Sequence, residues 1–269
     1  MTGQVHAGPC SALPTAHCEA LGVRFHALTI PQLNAAIASA IEGSSRCIIG
    51  CFNLHSVYLY HRDAHMRRFY EMTDWVHIDG MALVAVARLL GYPVLREHRV
   101  TWLDWLDPLL ALAAAHRWRV YYLGSAPGVA EQAAAALRQR HPGLLMQTRP
   151  GYFDARPDSA DSSAIRDHIN QFQPHLLMVG MGQPRQEKWV ADNAHLVSAN
   201  AIVTPGACLD YVAGRIPRPW RFLGRLGLEW AFRLATEPRR LGRRYLLEPW
   251  ALAPYLLADV KRAALRRRS

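Results

Sequence analysis

One local pattern recurs along this chain and limits its fold more than anything else: a short apolar run, a glycine-containing turn, then a helical pattern. It is seen in "RCIIGCFNLHSVYL" (46–59), "RVYYLGSAPGVAEQAAAALRQRHPG" (119–143), "PHLLMVGMGQPRQEKWVADN" (174–193) and "NAIVTPGACLDYVAG" (200–214). The runs are too short to be buried helices, and the segments after them have helical periodicity. Successive β-loop-α units imply a parallel sheet covered by helices, a Rossmann-like α/β fold whose loops at the strand carboxyl ends form a ligand crevice. With 51% hydrophobic residues in 269, such a core can be filled.

The expected layout is a disordered N-terminus (1–20), an α/β catalytic domain (21–214) and a basic appendage (215–269). The formal charge of +10 is confined to the appendage: from Arg215 onward there are 14 Lys and Arg against 4 Asp and Glu, and before it 17 against 17. A neutral body with a basic end argues for an anionic surface or substrate meeting that end and against a chain that coats nucleic acid. The opening "MTGQVHAGPCSALPTAHCEA" has no basic segment followed by an apolar run, so no signal peptide is expected. Cys10, Cys18, Cys47, Cys51 and Cys208 are odd in number and scattered, which suits free thiols and a cytoplasmic location. No charge-free stretch reaches the roughly 18 residues of a spanning helix, so membrane contact is expected to be peripheral.

The appendage reads as two amphipathic helices. From Trp220, residues Arg221, Arg225, Glu229 and Arg233 fall at i, i+4, i+8 and i+12 on one arc, with Leu223, Leu226, Trp230 and Leu234 opposite. Pro238 ends the first helix and suits the first turn of the next, "PRRLGRRYLLE". Periodicity leaves open a docked helix with a solvated arginine face and an interfacial anchor whose arginines flank Trp, Leu and Phe. A nucleic-acid patch is the weakest reading, because the body is neutral and no nucleic-acid motif is present.

Chemistry is sought at the crevice. "LGSAPG", with Gly124, and "VGMGQP", with Gly182, put small residues where strand passes to helix, so backbone amides there suit a phosphate. Neither is a dinucleotide or P-loop signature, and tight turns need glycine for steric reasons in any case. Asp79, in "HIDGMALVAVARLLG", is either the cap of the following helix or a crevice carboxylate acting as general base. His61 and His65 have the spacing of a helical metal pair but lack the accompanying glutamate, and no metal site is expected. Cys47 and Cys51 read as small apolar fillers on one strand face. No Asp-x-Asp pair is present to bridge a divalent ion to a diphosphate, so arginine, lysine or backbone donors must meet leaving-group charge.

"DGMALVAVARLLGYPV", "RVTWLD", "VYYLGSAPGVAEQAAAAL", "GYFD", "VGMGQPRQEKW", "PGACLDYVAGRIPRP" and "GLEWAFRLATEPRRLGRRYL" occur in the order and spacing of the WecG/TagA/CpsF glycosyltransferases. From about Leu21 to Leu247 the chain resembles that family. The resemblance implies inverting, metal-independent transfer from a UDP-sugar to a polyprenyl-diphosphate-linked saccharide, with no cofactor, at the cytoplasmic membrane face. It implies that Asp79 is the catalytic base and that Asn53, Arg99, Thr101 and Gln186 bind substrate. It further implies an appendage folded over the site, with Arg233, Arg240 and Arg243 reaching the diphosphate and Arg221 and Arg225 facing lipid head groups.

Cys51 stands where the family often has threonine, Trp102 replaces a frequent glycine after "RVT", "LREHRV" is two residues longer than usual, and "RIPRP" replaces R-A-P. These departures lie where sugar specificity could be set, and the sugar stays open. If the tail also shields an apolar patch on the body, self-association into a homo-oligomer follows. Two rivals compete: a non-catalytic nucleotide-sugar adaptor at the membrane surface and a metal-dependent nucleotide-sugar hydrolase.

Overall fold

A computed structural model of the protein describes residues 17–219, 223 and 227–266. Its centre is a six-stranded, all-parallel sheet made of β3 (Cys47–Phe52), β4 (Trp75–Ile78), β5 (Arg119–Gly124), β6 (Leu145–Arg149), β7 (Leu176–Gly180) and β8 (Ala201–Val203), in the order β4-β3-β8-β7-β5-β6. The four sequence repeats supply β3, β5, β7 and β8. Each strand is a nearly continuous apolar run because helices cover both faces.

The pleat separates two cores. Val120 and Tyr122 join the layer containing Leu33, Trp105, Leu109 and Val203, while Tyr121 and Leu123 join the opposite layer with Phe69, Ile169, Trp189 and Val190. Helices α1 (Ile30–Glu42), α5 (Trp102–Ala115), α6 (Val129–Arg140) and α9 (Cys208–Val212) supply the first layer. Helices α3 (Ala64–Glu71), α7 (Ala160–Phe172) and α8 (Arg185–Asn193) supply the second. Helices α2 (Leu54–Tyr60) and α4 (Met81–Leu89) come directly after β3 and β4.

Order begins earlier than the expected Leu21. Cys18–Ala20 (β1) pairs antiparallel with Val23–Phe25 (β2), and the hairpin is held down by Phe25, whose ring stacks 4.7 Å from Phe52. Residues 1–16, the rest of the stretch expected to be disordered, lie outside the described residues.

The second expected helix forms as α11 (Pro238–Leu246), with Pro238 in its first turn, but the first does not run unbroken from Trp220: Gly227 at φ +73° interrupts it and α10 covers only Glu229–Thr236. A short 3-10 turn (Glu248–Leu252) and α12 (Ala253–Arg266) come next, both beyond the reach of the periodicity argument. This last part is docked on the body: Leu252 is buried with the hairpin core, Asp259 accepts a hydrogen bond from the Leu21 amide, and Tyr255 stacks 3.7 Å from His61. His61 caps α2 and His65 lies in α3, so the two histidines belong to different helices. His61 Nε2 is 2.8 Å from the Leu21 carbonyl.

Candidate active site

The carboxyl edge of the sheet gathers the loops after β3, β4, β5, β7 and β8, because parallel strands all deliver their ends to one side. Asp79 comes directly after β4 and is half-buried. It does not cap α4: that position belongs to Gly80, at φ +114°, and carries no side-chain cap bond. The Asp79 carboxylate instead meets Cys51, with Oδ2 3.6 Å from Sγ. The cap reading therefore fails, because Gly80 and not Asp79 stands at the N-cap position.

Asn53, after β3, does two jobs. Its Oδ1 accepts the Ser56 amide (2.9 Å) and so caps α2, while its Nδ2 reaches Cys51 Sγ (3.2 Å) and Gln183 Oε1 (3.4 Å). Cys51 is thus more than the apolar filler expected from its place on the strand. Burial, with Asp79 adding to it, pushes its thiol well above the ordinary range, so it is an S–H donor and not a thiolate.

Gln186 lies buried at the start of α8. Its Oε1 accepts the Gly182 amide (3.0 Å), and its Nε2 donates to Glu187 Oε1 (2.8 Å) and to the Thr204 carbonyl (3.3 Å). The Gly182 amide expected to meet phosphate is thereby already engaged inside the loop, and φ +80° explains why glycine stands there. Gly124 has a steric explanation too: a Cβ would lie 2.2 Å from the Gly180 carbonyl oxygen of the neighbouring strand. Beside it, Ser125 donates to Asp210 Oδ2 at 2.8 Å.

Arg99 is held between two carboxylates, Nη2 3.1 Å from Asp104 Oδ2 and Nη1 3.1 Å from Glu229 Oε2. Thr101 also donates to Asp104 Oδ2, at 2.9 Å. Asp104, in the first turn of α5, orders the Arg99–Thr101 segment from the body, and Glu229 reaches it from the appendage. Burial raises the Glu229 carboxyl, and Arg99 opposes that shift.

The appendage turns its polar side inward. Glu229 and Arg233 are half-buried against the body, whereas Trp230 is 46% exposed. Burial works against the Arg233 charge while Tyr245, Tyr211 and Asp79 favour it electrostatically, and its Nε is buried without a hydrogen-bond partner among the described residues. Arg240 and Arg243 are not brought to the crevice: Arg240 is exposed and pairs with Glu237 at 2.6 Å, and Arg243 lies on the same outer side of α11. Arg244, not among the arginines expected at the diphosphate, is the residue that α11 turns inward, where it interacts with Asp79, Cys51, Arg233 and His55. Helical spacing puts Arg244 on the face of Leu241, but that this face is the buried one is shown only by the structure. Trp220, Arg221, Arg225 and Leu226 lie outside the described residues, and with them the head-group-facing expectation for the two arginines. Among the described residues no three His, Cys, Asp or Glu side chains converge as metal ligands, and no helix is long and apolar enough to cross a membrane.

A half-buried carboxylate at the strand ends, within electrostatic reach of two arginines from an appended helix pair, is an arrangement able to serve group transfer with an anionic leaving group. Residues 18–266 match the model of the glycosyl transferase WecG/TagA/CpsF family, and the chain belongs to that family; it is a glycosyltransferase. It is similar to the N-acetylglucosaminyldiphosphoundecaprenol N-acetyl-beta-D-mannosaminyltransferases of Staphylococcus aureus strains NCTC 8325 / PS 47 and MRSA252. Each is 27% identical over 251 residues, covering 92% of this chain and 94% of the relative.

Proposed function

We propose that this glycosyltransferase moves a hexose or N-acetylhexosamine from a UDP-sugar to a polyprenyl-diphosphate-linked saccharide, with inversion and without a metal, in bacterial exopolysaccharide, capsule or cell-wall polymer synthesis. The names of the Staphylococcus aureus relatives support an acceptor of the N-acetylglucosaminyl-diphospho-polyprenol class. The observation that supports this chemistry is that Asp79 has no capping duty and interacts electrostatically with both Arg233 and Arg244.

In this reading the acceptor hydroxyl gives its proton to Asp79 while its oxygen attacks the anomeric carbon. The bond from that carbon to the β-phosphate oxygen breaks on the opposite face, and UDP leaves. Arg233 and Arg244, little exposed to water, neutralise the departing diphosphate, a role for which the Gly182 amide is less available than its position promised. Gln186 and Asn53 hold the loops after β7 and β3 in register, and Arg99 and Thr101 shape the wall beside Asp79. Arg240 and Arg243, on the outer side of α11 next to Leu246 (54% exposed), Leu247 (63%) and Trp250 (77%), suit an anionic membrane surface from which the lipid-linked acceptor is taken.

The test is a panel of UDP-sugars with a short prenyl-diphosphate N-acetylglucosamine acceptor, with and without chelator. UDP release that requires acceptor and survives chelation is expected. Donor binding without acceptor-dependent release would favour the adaptor, and chelator-sensitive release without acceptor would favour the hydrolase.

A further inference from the structure

The hydrogen bonds that end at Asp79 have a direction, and the direction starts at Glu187. This residue is 1% exposed, its Oε1 takes both Gln183 Nε2 (3.1 Å) and Gln186 Nε2 (2.8 Å), and its Oε2 is buried with no partner. An ionised carboxylate only accepts. Gln183 must therefore turn its amino group to Glu187 and its carbonyl away, toward Asn53 Nδ2 at 3.4 Å. Asn53 is oriented the same way at its far side, because its Oδ1 is committed to the Ser56 amide. Its Nδ2 also reaches Cys51 Sγ, and with the sulfur accepting there, the thiol hydrogen is left for Asp79 Oδ2 at 3.6 Å.

We infer that Glu187 is a positioning residue for sugar transfer: as an acceptor-only group it turns Gln183 toward Asn53, and through them the Cys51 thiol, so that the Asp79 carboxylate is held in place by a hydrogen bond. This rests on the reading of Asp79 as the base.

The surroundings of Glu187 fit the role. Arg244 faces it from α11, Cys51 from β3 and Tyr70 from α3. Burial pushes its carboxyl up to about 6, while its amide donors and Arg244 hold it down. Protonation would give the head of the chain an O–H to donate and let Gln183 turn over. Asn53 cannot make the matching turn without giving up the α2 cap.

Glu187→Gln is close in shape but brings its own amino group, and Gln183→Met cuts the chain without touching the buried carboxylate. Each cut alone and the Glu187→Gln/Gln183→Met pair together are compared by steady-state kinetics, and because both interrupt one chain the pair should lose no more kcat than Gln183→Met alone. With UDP-N-acetylmannosamine and the short prenyl-diphosphate acceptor, kcat should fall about tenfold with KM for donor little changed. Thermal melts identify any variant that fails to fold, and the other variant then decides. An unchanged kcat in a folded variant, or additive losses in the pair, overturns the inference even if Asp79→Asn is inactive. An active Asp79→Asn overturns the base reading instead, whatever the Glu187 and Gln183 variants show.

Discussion

Glu248 Oε2 lies 2.6 Å from His55 Nδ1, joining the C-terminal segment to the residue two positions after Asn53. Burial, then Arg244, lowers the His55 pKa, with Glu248 opposing, so the contact is a hydrogen bond from a neutral imidazole to a carboxylate. Together with Asp259 on the Leu21 amide and Tyr255 on His61, it pins the end of the appendage to the body. The inward arginines are thus held from both directions, by Arg99–Glu229 before them and by this clasp after them.

Replacing Asp79 by Asn should lower kcat by roughly 10² to 10⁴ with little change in melting temperature, because its side chain neither caps α4 nor forms an ion pair with any described residue. Steady-state kinetics and a thermal melt check both parts, and near-wild-type turnover would sink the role of base.

Arg233→Ala and Arg244→Ala should each slow transfer by about 10² to 10³, the cost of removing one preorganised donor to a developing charge. Arg240→Ala with Arg243→Ala should leave turnover of a short soluble acceptor close to normal and weaken sedimentation with anionic vesicles. Equal losses in both assays for both pairs would contradict the division between inward and outward arginines.

Asp259→Ala should destabilise the fold by about 1 to 3 kcal/mol, since the buried Leu21 amide loses its partner. Truncation after Leu247 should lower the melting temperature further by uncovering the surface under Leu252. A truncated protein that melts like the full chain would show that the clasp adds nothing to stability.

The buried Glu187 carboxyl makes a signed prediction for stability. Its folded value of about 6 exceeds the ordinary 4.5, so between these values the folded state holds more protons and stability falls as pH rises. Relative to wild type, Glu187→Gln should therefore gain up to about 2 kcal/mol on going from below pH 4.5 to above pH 6. Denaturant melts across that range measure the difference, and a flat difference would place the carboxyl near its ordinary value.

Much of the fold was legible in the sequence because its signals are local. Apolar runs ending in glycine marked β3, β5, β7 and β8, and Pro238 marked the join between α10 and α11. Asp79 was legible as either a helix cap or a crevice carboxylate from its place before an apolar helix, whereas Asn53 was legible only through the family resemblance. What only the tertiary structure decided was orientation and partnership. A helical wheel fixes which residues share a face but not which face meets the body, so it could not say that Glu229, Arg233 and Arg244 turn inward while Arg240 and Arg243 turn out. Nor could spacing foresee that Glu229 would pair with Arg99, 130 residues away, or that Asp259 would hold the amide of Leu21. Those contacts form because packing brings together segments distant in sequence, and burial then demands a partner for each polar group it removes from water.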